Sequence, residues 1–499
     1  MDLSVIVQNL FSIKSLVVMT LATIFGMVGG ALPGVSSTMC VSLFLPFTFT
    51  MDPAIGILCL MAIYTSSVYG GSVTAILINT PGTASSAATA IDGFKMTNAG
   101  KGSLALRVST FSSGVGGLLS ALALLAFAPP LSKLALFFGP SEFFLLACMG
   151  LSAVATLAEE SIVKGIVSAL FGLFLVTIGV DYTIGMPRFT FDIISLEGGI
   201  SFVPALIGLF ALSQVIEMTK VVEKAEEPVL KFVNNRILPS ARELSGLLGT
   251  YIRGTIIGII IGILPGAGTE IASWIAYNTE KRVSHRREEI GKGSIVGVAS
   301  SEVANNAATG ATLIPLLTLG VPGSPVAAII LGGLMVHGLF PGRELFTTYA
   351  NVTYTAIFGF LLANVLMVIL GILMVGPFVK VARLPSKIIT PMIAILCFIG
   401  AFSANNNFFD IWVMIIFGFI GYFMNRGGFN PAPTVLAMVL GPMVEQRFIQ
   451  MYTLSDGHVL SFIAGRPISL VLIVLIVLFL VSPLFFRNVG KKVTQQNLL

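Results

Sequence analysis

Residues 26–34 read GMVGGALPG and residues 258–266 read GIIIGILPG. Five of the nine positions are identical: Gly26/Gly258, Gly30/Gly262, Leu32/Leu264, Pro33/Pro265 and Gly34/Gly266, all 232 residues apart. A second echo follows at an offset of 241, where Asn79-Thr80-Pro81-Gly82-Thr83 is matched by Gly320-Val321-Pro322-Gly323-Ser324. Proline removes a backbone donor and glycine frees φ, so each Pro-Gly ends a helix inside apolar sequence. Two halves that each carry two such breaks fit a membrane transporter built from repeats.

Composition agrees. Of 499 residues, 55% are hydrophobic and only 10% charged, against roughly 25% charged in a soluble domain. Such a chain cannot cover a water-facing surface. The runs 165–180, 356–375 and 470–486 approach or reach the length that crosses a bilayer. They are continuous rather than alternating, which excludes an outer-membrane barrel. The reading is an all-α polytopic membrane protein of two homologous repeats with broken or re-entrant helices. At about 20 residues per span it has about ten to fourteen membrane segments. The first apolar run lacks a basic flank and a small-residue cleavage site, so it reads as a helix of the mature protein.

The four cysteines (Cys40, Cys59, Cys148, Cys397) form no CxxC and read as small buried hydrophobes. The three histidines are scattered, and no metal-site spacing exists. The net charge of +5 sits in loops, as expected of cytoplasmic loops rather than of a nucleic-acid binder. Residues 1–217 form the first repeat, 218–252 a polar connector, 253–446 the second repeat, and 447–499 a last helix with a basic tail (Arg487, Lys491, Lys492). The offsets differ by nine, and the charged run 280–292 is the natural place for the extra residues. Pro130/Pro377, 247 apart, and Gly150/Gly400 extend the echo. Sequence leaves parallel and inverted repeats both open, and inversion is the expectation by analogy with other transporters.

The breaks carry the chemistry. Small polar residues trail each one: Ser36, Ser37 and Thr38; Thr83, Ser85 and Ser86; Gly268 and Thr269; Ser324. A helix starting there offers N–H groups and hydroxyls to an anion, and the carbonyls before the break suit a cation. The plain alternative is a kinked helix packed by small residues. Glu302, Asn305 and Asn306 are the sharpest polar cluster, at i, i+3 and i+4 on one helix face. An ionisable group at mid-membrane marks function by default, here a cation site or proton carrier; the alternative is a structural glutamate bonded to a neighbouring helix. Glu270 follows the third break. Asn405–Asn407 with Asp410, and Glu159 with Glu160, read as loop residues at a membrane face. Lys95, Arg107 and Arg343 flank the second and fourth breaks and read as solvated anchors, or as contacts at an entrance. There is no Ser-His-Asp grouping, Walker A loop or HExxH. The chain reads as a non-enzyme, and uphill transport needs an ion gradient or another chain.

GALPGVSSTM at 30–39, YGGSVTAILINTPGTASSAATAIDG at 69–93, ILPGAGTEIASW at 263–274, GKGSIVGVASSEVANNAATGATLIPLLTLGVPGS at 291–324 and NNNFFDIWVMIIFGFIGYFM at 405–424 carry a resemblance. Over nearly its whole length the chain resembles the large membrane subunit of tripartite tricarboxylate transporters. The resemblance implies a bacterial inner-membrane system in which this subunit forms the pathway. A small four-helix membrane subunit and a periplasmic solute-binding protein would be its partners, alongside the lipid bilayer and, as a further option, a second copy of the chain. It implies secondary import of di- or tricarboxylates driven by a cation gradient, with no cofactor beyond a bound Na⁺. The implied substrate contacts are Pro33, Gly34, Ser36, Ser37 and Thr38; Asn79, Thr80, Pro81, Gly82, Thr83, Ser85 and Ser86; Pro265, Gly266, Gly268 and Thr269; Asn305 and Asn306; and Pro322, Gly323 and Ser324. Glu302 and Glu270 are the coupling candidates. A passive channel or a scaffold without coupling is the competing reading.

Overall fold

The computed structural model describes residues 2–134, 137–152, 162–181, 185–220, 240–266, 268–382 and 384–477. Glu159, Glu160, connector residues 221–239, the end of the last apolar run and the basic tail lie outside the described residues.

The protein is an all-α polytopic membrane protein. Among the described residues, six helices are long and apolar enough to cross a membrane. In chain order the elements that matter are α1 (Leu3–Leu10), α2 (Ile13–Gly30), α3 (Ser37–Thr48), α4 (Pro53–Ile78), α5 (Ala87–Asn98), α6 (Gly102–Leu134), α7 (Pro140–Ser152), α8 (Ile162–Val176) and α9 (Phe202–Met218). They continue with α10 (Leu248–Ile263), α11 (Gly268–Val283), α12 (Ile295–Ala311), α13 (Leu313–Leu319), α14 (Pro325–Val336), α15 (Ala350–Leu373), α16 (Ser386–Asn405), α17 (Phe408–Arg426) and α18 (Ala432–Leu454). Strand structure among the described residues is one pair, Gly179–Val180 with Pro187–Arg188.

Two helices form the centre. The most apolar window of α4 is wholly buried, although α4 is long enough to face lipid. Every residue of α12 from Val296 to Ala311 is buried. Tyr64 of α4 meets Thr312, and Ser72 of α4 meets Glu302. As one chain ascends the other descends, so α4 and α12 are antiparallel.

Glycines let neighbours press onto this pair. A Cβ on Gly26 of α2 would lie 2.7 Å from the Ile63 carbonyl, and one on Gly30 would overlap that of Ser67. On α10, a Cβ on Gly258 would lie 2.5 Å from the Ala304 carbonyl, and one on Gly262 would lie 2.9 Å from that of Ala308. In a bilayer, where burial between helices gains little, such close backbone approach is the main attraction. These contacts recur at the sequence offsets: Gly26 to Gly258 and Gly30 to Gly262 by 232, Ile63 to Ala304 and Ser67 to Ala308 by 241.

The breaks fold as hairpins that start from opposite ends of the central pair. The α2–α3 hairpin starts beside Asp52, which Lys14 holds at 2.7 Å. It reaches Ser67 at its tip and returns with Thr48 against Gly56. The α10–α11 hairpin is closed at its base by Arg253 on Glu280, 2.7 Å, and reaches Ala308 at its tip. After α4, the chain turns back so that Gly82 N–H bonds the Gly71 carbonyl, and α5 then runs outward until Thr97 bonds the Ile76 carbonyl. After α13, Gly323 comes back against Thr312, and α14 runs outward until His337 lies against Gly56.

Candidate functional site

All four Pro-Gly tips lie part-way along the central pair. A Cβ on Gly82 would overlap the Gly30 carbonyl, and one on Gly323 would lie 2.7 Å from the Gly262 carbonyl, so the tips touch in pairs. Asn79 (φ 57°) and Gly320 (φ 73°) end α4 and α13 in the left-handed conformation, at equivalent offsets. Glycine and asparagine carry that geometry at least cost. Gly34 and Gly266 likewise have φ of 81° and 77°. The N–H groups expected to be free beyond the breaks are partly used: Ser36 caps α3 through Met39 N–H, and Ser324 caps α14 through Ala327 N–H.

The sequence-derived residues divide by location. Gly82, Thr83, Ser85, Ser86, Gly268, Pro322, Gly323 and Ser324 are buried, as are Pro265 and Gly266. Pro33, Thr38, Pro81 and Thr269 are half-buried, and Gly34, Ser36, Asn79, Thr80 and Glu270 are exposed. Tyr64 bridges the centre to the fourth tip through Ser324 Oγ at 3.1 Å and Thr312 Oγ1 at 3.3 Å. A Cβ on Gly268 would meet Ser324, which brings the third and fourth tips together. At the second tip, Thr83 and Ser85 hydroxyls share a 3.1 Å bond.

Glu302 is wholly buried on α12 and closely held. Its Oε1 accepts from Ser72 on α4 and Thr89 on α5, both at 2.5 Å. Its Oε2 accepts from Ser109 at 3.0 Å and Ser113 at 2.8 Å, both on α6. Four hydroxyl donors occupy about four lone-pair sites. These partners are scattered over forty residues of sequence, so only the fold gathers them.

Asn305 and Asn306 are the opposite case. Both are wholly buried, yet neither the amide nitrogen nor the amide oxygen of either side chain has a hydrogen-bond partner. Each unsatisfied buried group costs about 1–3 kcal/mol, so a native protein keeps them for a reason. Ser37 Oγ near the first tip and Ser273 Oγ on α11 are also buried without partners. Thr65, which corresponds to Asn306 at the offset of 241, is by contrast satisfied: it donates to Asn364 Oδ1 at 2.8 Å.

Asp92 is an anchor of the candidate site that no sequence motif marks. It is buried midway along α5 and accepts from Gly291, Gly293 and Ser294 N–H groups and from Tyr277 Oη at 2.8 Å. It thereby fixes the start of α12, the helix that carries Glu302 and both asparagines. The AIDG context carried a signal, since an acid among small apolar residues needs partners. Lys95 bonds the Gly291 carbonyl on the same side. A pocket of about 540 Å³ there is lined by Lys101, Glu243, Arg286 and Glu289 among others. At the opposite end, a cavity of about 1370 Å³ reaches Gly320 and is lined by Arg343, Glu344, Glu445 and Arg447 among others. Asn405, Asn406 and Asn407 make the α16–α17 turn: Asn405 bonds Asp410 at 2.8 Å, Asn406 (φ 52°) ends α16 and Asn407 caps α17.

Residues 16–436 match the family model described as the tripartite tricarboxylate transporter TctA family. The chain is 38% identical over 446 residues to an uncharacterized 52.8 kDa protein in the TAR-I ttuC' 3' region of Agrobacterium vitis, covering 89% of this chain and 88% of the relative. It is 39% identical over 212 residues to an uncharacterized protein in the TAR-II ttuC' 3' region of the same organism, covering 42% of this chain and 87% of that relative. No solved structure matches the chain.

Proposed function

Since the chain belongs to the tripartite tricarboxylate transporter TctA family, we propose that it is the subunit through which a small di- or tricarboxylate crosses the bacterial inner membrane. A small four-helix membrane subunit and a periplasmic solute-binding protein complete the system, and a cation gradient drives import. The two halves are inverted copies, which accounts for the recurrence of the Gly26/Ile63 and Gly258/Ala304 contacts on antiparallel helices.

The observation that carries this reading is the pair Asn305 and Asn306, unpartnered at the core beside four half-helix tips. Their amides offer donors to carboxylate oxygens and acceptors to substrate hydroxyls or a cation. Ser324 and Thr83 supply hydroxyls from the tips, and Tyr64 supplies one from α4. Carboxylate charge is met by dipoles and amides rather than by arginine, as at broken helices elsewhere. Alternating access then consists of exposing this centre first to one end of the α4–α12 pair and then to the other.

The test is uptake of labelled citrate and other carboxylates into proteoliposomes holding the chain and its partner subunits. Asn305→Ala with Asn306→Ala should abolish uptake while leaving the chain folded. Unchanged uptake would remove the asparagines from the substrate path.

A further inference from the structure

Glu302, when ionised, has no counter-charge beside it. No ion pair among the described residues includes it, and its neighbours within hydrogen-bond distance are hydroxyls from Ser72, Thr89, Ser109 and Ser113. A lone carboxylate at membrane depth is expensive, and is kept where an ion pathway uses it. Two carboxylate and four hydroxyl oxygens make six hard oxygen donors carrying one formal negative charge. That set suits a small hard monovalent cation. A divalent cation would leave a net positive charge at membrane depth, and no cluster of three or more acidic, histidine or cysteine groups that would hold a metal exists among the described residues.

We infer that the Ser72–Thr89–Glu302–Ser109–Ser113 cluster is the site of one Na⁺ per chain. This rests on the coupled-transport reading above and deepens it by giving the ion, its ligands and its number. A proton is the poorer fit. Protonation asks one of the four hydroxyls to turn from donor to acceptor and joins two oxygens, whereas a central cation is shared by all six. In the cation-free cage the hydroxyls point at the carboxylate, 2.5–3.0 Å away. On Na⁺ arrival they turn their lone pairs inward; Thr89 has Ser301 Oγ, 2.8 Å away, to receive its proton.

The count of one comes from the other half. The positions equivalent to the five ligands are Met61, Leu313, Ile330, Ala356 and Phe360, at offsets of 241 for the first three and 247 for the last two. All five lie buried in one apolar cluster. No cation can bind there. The cage also joins α12 to α4, α5 and α6, so filling it locks the second break's hairpin against the helix that carries Asn305 and Asn306. Cation and carboxylate therefore favour each other.

The purified full chain in detergent tests this without any substrate or partner. Its thermal midpoint should rise saturably with NaCl, with a Hill coefficient near one, over choline chloride or KCl at equal ionic strength. Ser113→Ala and Ser109→Ala, which leave Glu302 in place, should each raise the half-saturating Na⁺ concentration by about tenfold or more. Glu302→Gln should abolish the Na⁺ response, and ²²Na⁺ binding should fall from one per chain to none. A midpoint that ignores Na⁺, that responds to pH alone, or that responds equally in the serine variants would overturn the site. Na⁺ binding without carboxylate uptake would instead sink the transport reading and leave the site standing.

Discussion

Glu302 and Met61 occupy equivalent places on the two central helices and live in opposite surroundings. Around Glu302 the neighbouring helices present Ser72, Thr89, Ser109 and Ser113. The equivalent positions on Met61's side are Leu313, Ile330, Ala356 and Phe360, buried with it in one apolar cluster. The backbone device is shared: glycine-lined helix approaches, left-handed ends at Asn79 and Gly320, and tips that touch in pairs. Symmetry is thus kept where the chain bends and packs, and lost in the polar chemistry of the two places. On the proposed reading, the shared backbone serves the movement and the one polar cluster serves the ion.

Exchanging chemistry between the two places is the harshest way to break the comparison. Met61→Glu puts a carboxylate among apolar groups with no donor, at a cost of about 3–5 kcal/mol. It should lose the monodisperse peak on size exclusion after extraction. A well-folded Met61→Glu protein would mean that the apolar cluster is not what it looks like. Next comes packing: Gly30→Ala drives a methyl into the Ser67 carbonyl and should cost about 1–3 kcal/mol. Gly262→Ala should cost less, since its tightest backbone contact, the Ala308 carbonyl, lies 2.9 Å from the added methyl, whereas that of Gly30 overlaps the Ser67 carbonyl. Equal losses in thermal midpoint would contradict the tighter approach of α2 on α4.

The asparagines sharpen the contrast further. Asn364→Ala removes the partner of Thr65 and a bond to the Phe360 carbonyl, and should lower stability by about 1–2 kcal/mol. Asn306→Ala breaks no bond within the protein. Its thermal midpoint should be unchanged or raised while uptake falls about tenfold or more. The smallest effect lies at the hairpin bases. The Lys14 hydrogen bond holds the Asp52 carboxyl below its ordinary value. Its contribution is therefore present above the unfolded pKa and lost as pH falls through the folded one. Both side chains are largely exposed, so Asp52→Asn should cost less than about 1 kcal/mol at pH 7 and nothing at low pH.

The breaks were legible in sequence because proline and glycine act locally. The words that recur at fixed offsets showed which breaks resemble each other, but not that the first tip would touch the second and the third the fourth. Glu302, Asn305 and Asn306 were legible as polar residues sharing a face of an apolar helix. What surrounds them was not. Ser72, Thr89, Ser109 and Ser113 are ordinary small residues of membrane helices, and nothing local separates them from Ser66 or Ser120, which bond their own helix backbones. Asp92 was not legible, because its partners, Tyr277 and the backbone N–H groups of 291–294, lie nearly two hundred residues away and form no motif with it. Conversely, Asn79 drew a binding role from its place beside a Pro-Gly, yet it lies exposed and ends α4 in the left-handed conformation. The local signal there was one of backbone geometry.

The most direct test of an asymmetric, ion-coupled centre is accumulation of labelled carboxylate in proteoliposomes of the complete system under an inward Na⁺ gradient. The wild-type chain should concentrate the substrate above its external level, and Glu302→Gln should at most bring it to equilibrium. Accumulation by Glu302→Gln equal to that of the wild type would contradict the account.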